Sequence, residues 1–586
     1  SARQKLGLFY ASGMDLAQVN AEGAQPLQPY FERIQQLSDA SALARVVAGL
    51  HLVDADPLFA FSSSVDERDS STQIGTFSQS GLGLPDRDYY FKTDEKTVGL
   101  RSAYRAHVAK MFALLGDDAD AAGRAADQVL ELETKLAQAS KTRVELRDPE
   151  SNYHRVPAAE LEKMSPGFAW GDYFRTVGVT DGMITQVDVQ QPEFLEAVSR
   201  LVKDVPLDLW KTYLRWHLIE ATAPCLSEAF ATESFDFNSR ILTGATQPQP
   251  RWKRVVRGTD AALGQLLGQQ YVEKTFPPRA KERALRMVQD LKQELRVRLQ
   301  TLSWMGADTR QAAMAKLDAM GVKIGYPDKW RDYRGLEVKA QPYVLNVLAA
   351  REFNSRWELS RIGQPVDPND WGMTPPTVNA YYSPTRNEIV FPAGILQPPF
   401  FYAEADDAVN YGGIGAVIGH EMTHGFDDQG RLYDARGNLR DWWTPEDGKN
   451  FNERGEKIVR QFDGYTPIDG LHINGKLTEG ENIADLGGVK IAYAALQKAA
   501  ERNQTGLSVS KDGFTEAQRF FLSYARIWRL VTRPEALRLA LATDPHSPAR
   551  YRVIGPLSNL PEFAKAFDLP ADSPMVRPED QRVDIW

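Results

Sequence analysis

The sequence predicts a mainly α protein with a small β component (α+β), built as a helical part followed by a mixed part. Three observations predict it. The chain has 586 residues, whereas single hydrophobic cores stop growing near about 250–300 residues. Residues 1–345 carry apolar side chains mostly at helical spacing. Beyond residue 363 the pattern changes to short β-favouring runs and glycine-rich turns.

The helical part is read from its periodicity. "GRAADQVLELETKLAQAS" repeats apolar residues at Val129, Leu132 and Leu136. "KERALRMVQDLKQELRVRLQTLSWM" places Leu285, Val288, Leu291, Leu295, Leu299 and Leu302 three or four apart, one core-facing stripe of a helix. Breaks fall at "TGATQPQPRW" (243–252), "TFPPRAK" (275–281) and "GQPVDPNDWGMTPP" (363–376). The last has four prolines and two glycines and continues neither a helix nor a central strand. After it, Val378–Tyr382 and Glu388–Phe391 flank "SPTRN" as a β-hairpin, and "NYGGIGAVIGHEMTHGF" leads into a helix. The expected domains are 1–345, helical, and 346–586, mixed, with a short part near 148–175 packing on the second.

Composition limits the function classes. Hydrophobic residues make up 42% and charged residues 25%, enough to build a core. The net charge of −9 and the absence of long basic runs argue against a nucleic-acid partner. No run of about 18 apolar residues offers a membrane span. The opening "SARQKLGLFY" is no signal peptide, which leaves open a targeting segment removed upstream. The lone Cys225 permits no intramolecular disulfide and reads as a small buried hydrophobe.

The chemistry gathers at "VIGHEMTHGFDDQG" (417–430). Residues four apart share a helix face, so His420 and His424 can aim both imidazoles at one point. Glu421 stands where its carboxylate reaches a water at that point, as a catalytic base would. With 8 histidines in 586 residues and about 39 glutamates, chance yields this pattern about 0.007 times per chain. Two unpartnered histidines on an apolar helix would be costly, which favours zinc. A third ligand is sought in "LTEGENIADLGGVKIAYAALQ". Here Glu481 and Asp485 are four apart, Glu481 as ligand and Asp485 as acceptor for the N–H of His420. Thr478-x-x-Glu481 fits a helix capping box equally well, so spacing leaves both readings open.

These residues sit in four longer motifs: "VNAYYSPTRNEIVFPAGILQPPFF" (378–401), "NYGGIGAVIGHEMTHGFDDQGRLYDARGNLRDWW" (410–443), "GENIADLGG" (480–488) and "TDPHSPARYRVIGPLSNLPEF" (543–563). Taken together, the sequence resembles the neprilysin and endothelin-converting-enzyme family of zinc peptidases, including its bacterial oligopeptidases, over most of its length. The resemblance implies a thermolysin-like zinc catalytic domain, a large helical cap domain and a central cavity enclosed between them. It implies one Zn2+ per chain on His420, His424 and Glu481, with Glu421 catalytic and Asp485 behind a ligand. It implies His546 as the donor to the oxyanion; by itself His546 reads as a loop histidine. Arg552 matches the arginine that holds a substrate carbonyl, and Asn379 and Ala380 the edge strand that pairs with substrate. Ile395, Phe400, Ala416, Val417, Ile527 and Trp528 would line the specificity pocket. Relatives often carry a larger residue at Ala416, so a roomier pocket is expected.

The implied activity is endopeptidase cleavage of oligopeptides before hydrophobic residues. Its alternative is a catalytically silent peptide-binding shell. His472 in "GLHINGK" reads as a hairpin histidine, and "FDDQGRLYDARGN" as turns. The sequence also departs from the family. An aromatic-rich amino-terminal stretch is absent, as though cleaved or supplied separately, and with it the arginines that anchor a substrate carboxyl terminus. Val583 and Arg529 stand where animal members have cysteines. A disulfide-free bacterial member, periplasmic or secreted, is the expectation.

Overall fold

The computed structural model describes residues 1–586. Helices hold 58% of the residues and strands 8%, and the chain divides into two compact units. One comprises Ser1–Leu266 with Arg331–Val366, the other Leu267–Trp330 with Asp367–Trp586.

The first unit is helical around one small sheet. Strands β1 (Phe59–Asp66), β2 (Asp69–Gln79), β3 (Arg155–Pro157) and β4 (Gln186–Val189) lie in the order β1-β2-β4-β3. β1 and β2 form an antiparallel hairpin, while β4 runs parallel to β2 and antiparallel to β3. Helices Glu95–Leu114 and Ala119–Ala139 pack together. Each starts on an aspartate, Asp94 and Asp118, that accepts an orphan backbone N–H. The stripe expected of the second helix is buried at Val129, Leu132 and Leu136. Between the two helices Glu133 is wholly buried and accepts from the hydroxyls of Tyr90 (2.7 Å) and Tyr104 (2.8 Å). Cys225, expected buried, is half-buried at the edge of this unit's core.

The second unit holds a three-stranded sheet, β5 (Gly321–Gly325), β6 (Tyr381–Ser383) and β7 (Glu388–Pro392), in the order β5-β7-β6. The expected hairpin is β6–β7, with β6 at the sheet edge. Asn379 and Ala380 lie just ahead of β6 rather than in it. Helix Pro278–Thr301 buries Val288, Leu291, Leu295 and Leu299 and packs on helix Glu479–Arg502. That helix crosses helix Ala416–His424 at two glycines. A Cβ on Gly419 would fall 2.7 Å from Gly488 O, and one on Gly488 would fall 2.6 Å from His420 N. The two backbones touch there, which only glycine permits.

A single cut at residue 345 does not describe this packing. Residues 267–330 join the second unit because β5 pairs with β7 and the long helix lies on Glu479–Arg502. Residues 331–366 return to the first unit, where helix Tyr343–Leu359 contributes Tyr343, Val347 and Ala350 to a core cluster. Residues 148–175 also belong to the first unit. Helical periodicity reports that a stripe is buried, not which core it faces.

Candidate metal centre and substrate cleft

The glycine crossing sets the geometry of the site. It holds the first turn of helix Glu479–Arg502 against the helix that carries both histidines. His420 Nε2 and His424 Nε2 are 2.9 Å apart. Glu481 Oε2 lies 3.2 Å from the first and 3.6 Å from the second. Both Nδ1 atoms face carboxylates, Asp485 Oδ1 at 2.8 Å for His420 and Asp427 Oδ2 at 2.6 Å for His424. Asp427 is hydrogen-bonded to His424 Nδ1, while Asp485 stands beside His420 Nδ1 as a close charge without an aligned bond; both acids favour Nδ1–H in the neutral rings and so turn the Nε2 lone pairs inward.

With both imidazoles neutral, as metal ligands must be, two lone pairs and a carboxylate oxygen face one another. Glu481 Oε2 is buried and receives no hydrogen bond. Its standing cation, Arg552 Nη2, is 3.7 Å away, too long for a hydrogen bond, so a cation held between the two Nε2 atoms would meet a buried anion that is only partly compensated. Tetrahedral zinc, with ligands at about 2.0–2.2 Å, separates its donor atoms by roughly 3.3 Å, so this donor set fits zinc. Glu481 does not close a capping box, since the Thr478 side chain makes no cap bond to the helix.

Electrostatics follows from the same contacts. Burial would lower the pKa of His424, but Glu481 and Asp427 raise it well above the usual histidine range. His420 is raised too, with Asp485 and Glu481 outweighing burial and the repulsion of His424. Glu481 is held well below the usual carboxylate range by the two imidazoles, against its burial. Glu421 is pushed up, first by burial and further by Glu481, against the pull of His420, His424 and Arg552.

Helix Ala549–Leu557 and the loop before it bring further side chains to the same place. Arg552, 8% exposed, forks onto Asp485, with Nε–Oδ2 2.7 Å and Nη2–Oδ1 2.8 Å. Its guanidinium stacks 3.9 Å over the Trp528 ring. The Tyr524 hydroxyl donates to Arg552 O at 2.6 Å. His546 Nε2 is 3.2 Å from Glu481 Oε1, and its Nδ1 is 2.7 Å from Asp544 Oδ1. Both ring nitrogens thus face carboxylate oxygens. Ser547, next to His546, donates to Asn482, next to Glu481, at 2.7 Å and ties that loop to the metal helix pair.

One cleft of about 500 Å³ brings most of these groups together. It takes in His420, Glu421, His424, Glu481, Asp485, His546 and Arg552, with Asn379, Ala380, Ile395, Phe400, Ala416, Val417, Ile527 and Trp528. Every candidate residue named from the sequence therefore borders a single space. His472 lies apart from it, with Nδ1 2.7 Å from Asp463 O. Sequence reasoning missed Asp427, Asp544 and Tyr524. Asp427 follows His424 by three residues in a stretch read only as turns, and Asp544 precedes His546 by two. A search for an acid close to each histidine would have found both.

A helical protein with paired histidines, an adjacent glutamate and an incoming carboxylate in one cleft has the makings of a metallopeptidase. Comparison with known proteins gives the particular class. Two family models described as Peptidase family M13 match residues 1–327 and 379–583. Human endothelin-converting enzyme 1 is 37% identical over 601 residues, covering 100% of this chain and 78% of its own. The endothelin-converting enzyme homolog of Locusta migratoria is 37% identical over 536 residues, covering 88% and 73%. Among solved structures, the Mycobacterium tuberculosis zinc metalloprotease Zmp1, in complex with an inhibitor, superposes with a TM-score of 0.95 at 40% identity, covering 99% of this chain and 88% of that one. PepO from Lactobacillus rhamnosis superposes with a TM-score of 0.90 at 27% identity, covering 100% and 91%. The chain belongs to peptidase family M13 and is a zinc metalloendopeptidase of the neprilysin-like type. No helix is long and apolar enough to cross a membrane.

Proposed function

We propose that the protein hydrolyses oligopeptides on the amino-terminal side of hydrophobic residues, with one zinc held by His420, His424 and Glu481. The observation that carries this reading is the buried Glu481 Oε2, without a donor, facing the Nε2 atoms of both histidines. Zinc at that point supplies Lewis acidity for the scissile carbonyl and for the attacking water.

The remaining work falls to side chains of this chain. Glu421, raised by burial, accepts the water proton on its carboxylate and passes it to the leaving nitrogen. His546 donates from Nε2 to the oxyanion as it forms, while Asp544 holds Nδ1. Arg552 spends Nε and Nη2 on Asp485, which leaves Nη1 to donate to a substrate carbonyl. The outer edge of β6, with Asn379 and Ala380 ahead of it, offers main-chain groups to an extended peptide. Ile395, Phe400, Ala416, Val417, Ile527 and Trp528 give the cleft an apolar wall for the residue after the cut.

Glu421→Gln tests the reading. The variant is expected to retain one zinc by metal analysis and to lose cleavage of a mixed peptide library by at least about 10²-fold. Wild-type protein that carries zinc yet cleaves no peptide would leave only a peptide-binding shell.

A further inference from the structure

Beneath the exit of the histidine helix lies a lysine that the mechanism above does not use. Lys316, on helix Ala307–Ala319, is 0% exposed. Its Nζ donates to Gly430 O and to Tyr433 O, each at 2.6 Å. It also lies 5.8 Å from the Tyr382 ring centre, 5.6 Å from Phe426 and 5.9 Å from Trp442. Burial lowers its pKa to about 7, against the pull of Asp427 and Asp434. An ammonium and a neutral amine both carry enough N–H groups for the two bonds, so the contact does not depend on which is present.

Gly430 stands between this lysine and the metal ligands. Its carbonyl accepts from Lys316, and its N–H donates to Asp427 Oδ1 at 2.6 Å. The other Asp427 oxygen faces His424 Nδ1, also at 2.6 Å. The turn is pressed against the ligand itself, since a Cβ on Gly430 would fall 1.7 Å from His424 O. A short chain of bonds therefore runs from Lys316 through Gly430 and Asp427 to the imidazole.

We propose that Lys316 is a positioning residue of the metal centre: by fixing the carbonyls of Gly430 and Tyr433 it aims the Asp427 carboxylate that orients His424. The inference rests on the zinc reading above and goes beyond it, because Lys316 lies outside the cleft and touches neither metal ligand nor substrate. Groups that orient a ligand typically change metal affinity by about 10–100-fold when removed, and a group acting through them belongs at the lower end.

The test uses the full chain and a double-mutant cycle. Lys316→Met keeps the length and removes the donors, and Asp427→Asn removes the carboxylate charge. Zinc affinity is read by chelator competition, ligand geometry by the absorption spectrum of the cobalt(II)-loaded protein, and packing by the melting temperature of metal-free protein. Lys316→Met is expected to weaken zinc binding about 10-fold and to shift the cobalt bands. The double variant should bind zinc no more weakly than Asp427→Asn alone, because both changes cut the same chain. A folded Lys316→Met protein with unaltered zinc affinity and cobalt spectrum overturns the inference, even if its melting temperature drops. Effects that multiply in the double variant overturn it too. Should the methionine variant not fold, Lys316→Gln is read in its place by the same measures. Wild-type protein that binds no zinc refutes the zinc reading itself, whereas tight zinc in both wild type and variant refutes only the role of Lys316.

Discussion

Asp485 serves two partners at once: both its oxygens grip Arg552, at 2.7 and 2.8 Å, and Oδ1 also faces His420 Nδ1 at 2.8 Å. One carboxylate thus joins the paired-histidine side of the cleft to the Arg552 side. Burial would raise its pKa, but Arg552 first, and His420 with it, hold it below the usual range. Asp485→Asn is expected to weaken zinc binding by about 10–100-fold and to raise KM as well. Asp485→Ala leaves a buried arginine unpaired and should cost about 3–5 kcal/mol of stability. Chelator titration and denaturant melts check the two effects. A change in KM without loss of zinc affinity would separate the roles.

The His546 ring nitrogens face Glu481 and Asp544 in the free protein. Its replacement by phenylalanine should lower kcat by about 10²–10³-fold, with KM and zinc content near wild type, because the donor matters most once the oxyanion forms. Asp544→Asn should give a smaller loss of the same kind. Steady-state kinetics on one peptide decides between this and a loss confined to KM.

Ala416 lines the apolar wall of the cleft and is 3% exposed. Ala416→Leu adds bulk there. Cleavage before Phe, Tyr or Trp is expected to fall by about 10-fold or more relative to cleavage before Val or Leu, within the range that small changes of pocket volume produce. Library profiling of both proteins reads this ratio, and a wild type that already prefers small residues would contradict it.

Glu133 predicts a pH dependence of the first unit's stability. Burial pushes its pKa from 4.5 to about 8, against the hydrogen bonds from Tyr90 and Tyr104. Between those two values the folded state holds the proton that the unfolded state releases. This group's stabilisation is therefore complete below about pH 4.5 and declines as pH rises toward 8, by at most about 1.4 kcal/mol per pH unit. Glu133→Gln should flatten that slope. Urea midpoints at several pH values, followed on the transition of the first unit, check it.

Much of the site was legible because its pattern is local. His420, Glu421 and His424 occupy one helical turn, and helical spacing alone brings the two imidazoles to one face. The stripe on Pro278–Thr301 and the β6–β7 hairpin were legible for the same reason. Glu481 was legible only as one of two possibilities. A glutamate three residues after a threonine at a helix start suits a cap as well as a metal, and spacing cannot choose. Asp427 and Asp544 escaped a reading based on periodicity, because short acidic turns carry no periodic signal; only their closeness in sequence to His424 and His546 marks them.

The sequence by itself determined the helical character, the paired histidines with their glutamate, and the kinship of most of the chain. Tertiary structure decided that Glu481 turns to the histidines, that Asp485 joins His420 to Arg552, and that residues 267–330 pack with the second unit. The physical reason is range. Backbone geometry fixes neighbours three or four residues apart, whereas the meeting of residues 420 and 481 depends on two helices crossing closely enough for Gly419 and Gly488 to touch.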